Sequence, residues 1–363
     1  MAAAFPVIDG HNDLAWQLRT RGLDPDLTAD LTDTGLHTDL SRLHRGGVAA
    51  QFWSVYAPCD EDEQLTAVRV LEQIDLVRRL VARYPEHLVL ARTAEEVERA
   101  RAGGRIASLL GAEGGHGIAS SLGVLRMLYA LGVRYLTLTH ALNTPWADSA
   151  TDEPVVGGLA PFGHDVVREM NRLGMLVDLS HVAPSTMHAA LNTSTAPAFF
   201  SHSSARALCD HPRNVPDDVL TRVRDSNGVV MVTFVPYFLN EECRQWGVAL
   251  YEFEVGTPEP YASPQWTARQ AAWLRANPCP KSDVRDVADH VEHIRAVAGV
   301  DAVGLGGDFD GTPVVPAGLS DVSGYPALFE VLRDRGWSDA ELRKLSWENT
   351  LRVLRDTELV SER

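Results

Sequence analysis

The chain has 363 residues, 45% of them hydrophobic, and a formal net charge of −16 from 49 acidic against 33 basic side chains. That length and composition allow a large core in one α/β domain or two smaller ones, while the acidity and the lack of any lysine- or arginine-rich run exclude a nucleic-acid partner. No window reaches the roughly 18 uninterrupted apolar residues that a membrane helix needs, and MAAAFPVIDGH has neither the basic nor the apolar region of a secretory leader.

Taken in chain order, short apolar runs alternate with helical patterns. The runs are Phe5–Asp9, Val48–Tyr56, Ile106–Gly111, Tyr135–Thr139, Met175–Leu179, Ala198–Ser201, Val229–Val235 and Val303–Leu305. Several are near-continuous in apolar residues, as in parallel strands covered on both faces. Between them, Gln64–Tyr84 has Leu65, Val68, Leu71, Leu76 and Leu80 at helical intervals, with Arg78 and Arg79 among the polar positions. Val124–Leu131, Val166–Leu173, Ser185–Leu191, Val284–Val297 and Tyr325–Leu332 behave alike, and Pro184 stands near the first helical position it favours.

Eight strands separated by helices predict a single-domain α/β chain spanning residues 1–363, folded as a closed (β/α)8 TIM-type barrel. A doubly wound open sheet is the alternative. It calls for a GxGxxG turn after the first strand, and VIDGHND is not one. The stretch Pro236–Lys281 breaks the rhythm as a long insertion after strand 7, carrying Tyr237, Trp246, Tyr251, Trp266 and Trp273. It is expected on the catalytic face, as a cover with small helices of its own or as a partner-binding surface. Cys59, Cys209, Cys243 and Cys279 are scattered without a CxxC and none ends a strand, so reduced thiols in a soluble, cytoplasmic protein are expected, with no cysteine catalysis.

Polar residues of one chemistry stand where these strands end. His11 and Asp13 follow the first, two apart in extended chain, so both side chains can reach one metal. Glu113 ends the third in GAEGGHG; its two oxygens can bridge two cations, and the glycines around it remove bulk. His116 nearby suits a structural role. His181 and His202 end the fifth and sixth, and neutral imidazoles with a shared carboxylate suit zinc, or cobalt and manganese, with a position left for water. Asp308 follows the eighth in GGDFDG as the expected proton carrier, with Asp310 its rival deeper in the loop. His140 ends the fourth, where an imidazole could polarise a carbonyl or sit buried as a structural group. Arg213 could grip a carboxylate bidentately or form a plain surface ion pair. No GxSxG nucleophile and no GxxxxGK[ST] phosphate loop occur.

IDGHNDLAW, GAEGGHGI, YLTLTHALNTPWADS, EMNRLGMLVDLSHV, SHSSAR followed by RNVPDDVL, and VGLGGDFDG resemble the renal-type membrane dipeptidase family, zinc dipeptidases of the amidohydrolase superfamily. The resemblance covers nearly the whole chain. It implies a metal-bearing (β/α)8 barrel with two zinc ions per subunit: His11 and Asp13 on one, His181 and His202 on the other, Glu113 bridging. It also implies His140 and Arg213 as substrate-binding residues, His140 helping to stabilise the oxyanion, and Asp308 as the catalytic proton shuttle to a hydroxide shared by the metals. Substrates would be dipeptides, including those with a C-terminal D-residue, and the subunit arrangement a homodimer. Members anchored to membranes have a leader and a hydrophobic tail; this chain ends LRDTELVSER, so a soluble bacterial-type relative is expected, with no membrane partner. The alternatives are another amidohydrolase activity (D-aminoacylase, lactonase, phosphotriesterase or β-lactam hydrolysis) or a non-catalytic metal-binding protein. Many of those enzymes bridge their metals with a lysine, and no lysine ends a strand here.

Overall fold

Every residue of the strand Val7–Asn12 and of the strand Ile106–Glu113 is buried, as parallel strands covered on both faces require. The computed structural model describes residues 5–23, 35–59 and 62–361. The first four residues and the last two, on which the readings of a missing leader and tail bear, lie outside them.

All described strand pairs are parallel. They are β1 (Val7–Asn12), β2 (Val48–Tyr56), β3 (Leu88–Leu90), β4 (Ile106–Glu113), β5 (Val133–Thr137), β6 (Leu176–Asp178), β7 (Phe199–Phe200), β8 (Val229–Val232) and β9 (Val303–Leu305). The sheet runs β2-β1-β9-β8-β7-β6-β5-β4, and β2 pairs again with β4 from Ala50↔Ala107 to Tyr56↔Glu113, which closes the ring. The closed (β/α)8 barrel is therefore the fold. The ninth strand, β3, has no counterpart in the sequence reading: Leu88 pairs with Ile106 and Leu90 with Ser108, ahead of the point where Val133 of β5 joins Leu110. A run of three residues cannot display a period.

Helices cover the outer face, and the rings of Phe52, Tyr135 and Phe199 fill the inside, their centroids 5.3 to 6.1 Å apart. These residues come from strands that are not neighbours, so they meet only within the ring. The helix Glu63–Arg83 occupies the stretch expected, but only part of the expected ladder faces inward. Leu76 and Leu80 are buried, while Leu65, Val68 and Leu71 are 45%, 50% and 45% exposed, and Val70, Ile74, Val77 and Val81 complete the buried stripe. In the first half of the helix two overlapping ladders satisfy helical spacing, and the β-branched one fits against the barrel.

The insertion after β8, the seventh strand of the ring, carries two helices, Glu241–Val255 and Pro264–Ala276. Asn240 and Ser263 cap their N-termini by accepting the backbone N–H of Cys243 and Trp266. Trp273 packs on Trp246 and Phe253, with ring centroids 5.7 and 5.4 Å apart. From this insertion Tyr237, Phe238 and Tyr261 reach the mouth of the barrel.

Candidate active site

Glu113 is the last residue of β4, and its two oxygens face two different groups. His11 Nε2 lies 3.4 Å from Oε2, and the Ser54 hydroxyl donates to the same oxygen at 3.1 Å. Oε1 instead faces His181 Nε2 at 3.0 Å, His202 Nε2 at 3.5 Å and His140 Nε2 at 3.8 Å. Asp13 Oδ2 stands 3.1 Å from His11 Nε2, and ligand atoms of His11, Asp13 and Asp308 all lie within 4.8 Å of one another. Thus His11, Asp13, Glu113, His140, His181, His202 and Asp308 converge at the C-terminal ends of β1, β4, β5, β6, β7 and β9.

The backbone makes this convergence at some cost. His181 and Asp308 adopt left-handed φ values of 68° and 58°, rare for residues with a side chain and characteristic of strained functional positions. The His181 carbonyl accepts the Ala150 N–H at 2.7 Å, and the Asp308 N–H donates to the His11 carbonyl at 3.2 Å, which fixes both turns. Asp13 lies past the end of β1 as the residue before the helix Leu14–Thr20, with φ −98° and ψ 19°. It meets His11 through that turn and not through strand alternation.

A second layer aims the imidazoles. His202 Nδ1 lies 2.8 Å from the Ser201 hydroxyl, which itself donates to Asp178 Oδ2 at 2.6 Å. Ser201 therefore accepts from Nδ1–H, and the Nε2 lone pair points at the centre. The Tyr135 hydroxyl holds His11 Nδ1 at 2.8 Å in the same way. Asp178 also takes the N–H of Ser180 and Ser201 and the Thr137 hydroxyl. Asp9 takes the Gly307 N–H and the Tyr325 hydroxyl, tying β1 to the end of β9.

His11 Nε2 is buried without a hydrogen-bond partner, and the Nε2 atoms of His181 and His202 face each other at 2.9 Å. Lone pairs and carboxylate oxygens aimed at common points are what a divalent cation satisfies, and imidazole with carboxylate is a donor set suited to zinc. Burial opposes charge on His11, yet Tyr135, Glu113 and Asp13 hold its imidazole well above the ordinary range, the mark of a negative potential that favours a cation. It opposes charge on Glu113 too, yet His11, His181 and His140 hold its carboxyl well below the usual range. Burial, reinforced by the Arg213 charge, drives His181 and His202 well below an ordinary imidazole. Burial, with Asp13 and Glu113 nearby, raises Asp308 well above the ordinary carboxyl.

Arg213 is buried, with its guanidinium 5.4 Å over the Phe238 ring. Its donors reach only the Ser203 hydroxyl at 3.4 Å and the His202 carbonyl at 3.3 Å, so no carboxylate pairs with it among the described residues. Burial pushes it down to about 10. A surface ion pair is excluded. His116 bonds the Asn143 carbonyl at 3.0 Å, outside the cluster. Asp310 holds the His37 N–H at 2.7 Å and the Gln17 amide reaches its carbonyl, so it is turned from the centre that Asp308 faces.

No described strand ends in a cysteine, but Cys59, just past β2, lies beside the site, its sulfur 3.8 Å from His140 Nδ1, because the loop after Tyr56 folds toward the end of β5. One expectation is corrected: the glycines around Glu113 serve packing more than metal access. A Cβ on Gly111 would fall 1.9 Å from the Tyr135 ring, and one on Gly115 2.3 Å from the Leu138 carbonyl. Sequence reasoning missed Asp9, Asp178 and Tyr135. The signal for the two aspartates was available: a carboxylate inside a run apolar enough to be buried on both faces needs partners.

A closed barrel with imidazoles and carboxylates gathered at its C-terminal mouth defines the class as a metal-dependent (β/α)8 hydrolase. A sequence model of the membrane dipeptidase family, peptidase family M19, matches residues 1–363. The chain belongs to that family and is a metallo-dipeptidase. It is 43% identical over 368 residues to an uncharacterised dipeptidase of Schizosaccharomyces pombe, covering 98% of this chain and 81% of that protein. It is 44% identical over 365 residues to dipeptidase 3 of Macaca fascicularis, covering 99% of this chain and 66% of that protein. Among solved structures, a dipeptidase described as an M19 metallopeptidase matches with a TM-score of 0.82 at 26% identity, over 97% of this chain and 98% of that one. A metallopeptidase of Rhodobacter sphaeroides bound to a phosphinate mimic of L-Ala-D-Ala matches with a TM-score of 0.79 at 25% identity, over 97% and 99%. No helix among the described residues is long and apolar enough to cross a membrane.

Proposed function

We propose that residues 1–363 form one catalytic unit that hydrolyses dipeptides, including those with a C-terminal D-residue, with two zinc ions. His11 and Asp13 would hold one ion, His181 and His202 the other, and Glu113 both. The carrying observation is the division of Glu113: Oε2 toward His11, Oε1 toward His181 and His202. Bound there, the metals supply an acidified water and polarise the scissile carbonyl.

The protein's own groups do the rest. Asp308, raised by burial, takes the proton of the attacking water and returns it to the leaving amine. His140, in the cavity and at 3.8 Å from Glu113, donates to the carbonyl oxygen as charge develops on it. Arg213, buried and lacking a carboxylate, binds the C-terminal carboxylate of the substrate. The cavity directly over these groups holds about 190 Å³, small against the ~300–1,000 Å³ of sites for drug-sized ligands, which suits a short substrate. The mimic bound to the Rhodobacter relative supports the D-residue.

The test is a stereochemically complete dipeptide panel, with tripeptide controls, on protein assayed for metal. Hydrolysis of L-X–D-Y and L-X–L-Y pairs without tripeptide cleavage, at two metals per chain, is the expected result. Inactivity on every dipeptide would move the reading to another amidohydrolase reaction.

A further inference from the structure

Arg213 and Asp308 at the mouth have no ion-pair partner among the described residues, and both have their roles above. Glu254, on the inner side of the insertion helix Glu241–Val255, is a third such charge. Its carboxylate accepts the Gln270 amide at 2.7 Å, across to the second helix, and no lysine, arginine or histidine comes within ion-pair distance. Burial raises its carboxyl above the ordinary range, with only Gln270 opposing. The side chain is half-buried with Gln270 as its one hydrogen-bond partner among the described residues, so the carboxylate stays open to a ligand, and a cation is the partner that complements it.

Glu254 lines a cavity of about 330 Å³ beside the catalytic one, sharing the walls Trp16, Gln17, Tyr237 and Tyr261. Asp310 also lines it, one oxygen accepting the His37 N–H while the other has no hydrogen-bond partner among the described residues, and the Arg21 guanidinium donates to Gln17 at 3.0 Å. Arg213 does not line this cavity, which meets the catalytic one at Trp16, Gln17, Tyr237 and Tyr261, although Glu254 also borders a third space that contains Arg213 and Phe238. A dipeptide whose carboxylate is held at Arg213 leaves its N-terminal side chain to fill the cavity that Arg213 does not line. Tyr261 and Trp16 stack with centroids 6.4 Å apart, and Trp266 packs on Tyr261 at 4.8 Å, giving an aromatic lining. A methylene stem can lie along that lining while its charged head goes beyond.

We infer that this cavity receives the side chain of the N-terminal residue and that Glu254 selects one ending in a cation, such as lysine, ornithine or arginine. The inference rests on the dipeptidase reading. A plain structural role, stapling the two insertion helices through Gln270, is the competing explanation. The two differ in what a neutral substitution does to substrate choice.

The experiment compares kcat/KM of the metal-loaded enzyme on Lys-Ala and norleucine-Ala, which share a stem but not a charge, and on Ala-Lys and Ala-norleucine. Glu254→Gln preserves the size of the side chain and a hydrogen bond to Gln270, and its thermal midpoint checks the fold. We expect Lys-Ala to be preferred over norleucine-Ala by about tenfold or more, mainly through KM, as a charge-assisted hydrogen bond implies. In Glu254→Gln the ratio should fall to about one, and in Glu254→Lys it should invert. An unchanged ratio in Glu254→Gln, or an equal loss on both substrates, overturns the inference in favour of the staple. A preference confined to Ala-Lys overturns the assignment to the N-terminal side. Cleavage of these peptides without any preference for lysine sinks the inference and leaves the dipeptidase reading standing; cleavage of none sinks both.

Discussion

The Tyr135 hydroxyl lies 2.8 Å from His11 Nδ1, although 124 residues separate them. The contact exists because Gly111 on the neighbouring strand leaves room for the ring, where a Cβ would sit 1.9 Å from it. Partners of this kind fix the tautomer and orientation of a metal-binding imidazole, and their loss typically costs ~10–100-fold in metal affinity. Tyr135→Phe keeps the ring packed on Phe52 and Phe199 and removes only the hydroxyl. It should weaken the metal ion that His11 is proposed to hold by about that factor, read by chelator competition. Affinity within twofold of the parent would mean the hydroxyl does not orient His11.

Asp308 tests the division between holding metal and moving protons. Asp308→Asn keeps the shape and the left-handed turn, which asparagine tolerates well. It should retain the metal content of the parent, because the proposed ligands His11, Asp13, Glu113, His181 and His202 remain, while kcat falls by ~10²–10⁴. Metal analysis and steady-state kinetics on one preparation separate the two effects. Turnover near that of the parent would show the proton travels by another route.

What the sequence disclosed and what it withheld follow one physical rule. His11, Glu113, His181, His202 and Asp308 were legible because each stands at the end of an apolar run, where a polar residue breaks the pattern. Their supports were harder to read. Asp9 and Asp178 show only as carboxylates within apolar runs that must find partners, and Tyr135 passes as a strand aromatic until the pairing of β4 with β5 brings it across Gly111. Barrel closure depends on Ala50 meeting Ala107, a pairing no local period encodes. The helical pattern of Glu63–Arg83 fixed its length but not its full buried face, because Leu65, Val68 and Leu71 compete with Val70, Ile74 and Val77 on spacing alone.

Arg213 should govern substrate affinity more than chemistry. A guanidinium grips a carboxylate through two parallel N–H bonds, while an ammonium offers a point charge. Arg213→Lys should raise KM for dipeptides about 10- to 100-fold, the worth of one lost charge-assisted bond, with a smaller change in kcat. A C-terminally amidated dipeptide should lose a comparable factor on the parent enzyme and little more on the variant. Additive losses would mean that Arg213 does not meet that carboxylate.

His290 gives the fold a sensitivity to acid that is separable from the metals. It lies fully buried, accepting the Ala205 N–H on Nδ1 at 3.0 Å and reaching the Leu239 carbonyl with Nε2 at 2.8 Å. Those bonds demand the neutral tautomer protonated on Nε2, and burial pushes the imidazole down to about 4 from an ordinary 6.5. Between those values the unfolded chain binds a proton that the folded one refuses. Stability is therefore complete above about pH 6.5 and falls as the pH drops toward 4, by about 2 kcal/mol between pH 7 and 5. Urea unfolding of metal-free protein and of His290→Gln at both pH values isolates the effect. The variant starts less stable, since glutamine only partly replaces the two bonds, but it should lose about 2 kcal/mol less on acidification. Equal losses in the two proteins would mean that His290 already carries its proton in the fold, and that Ala205 and Leu239 are held by other means.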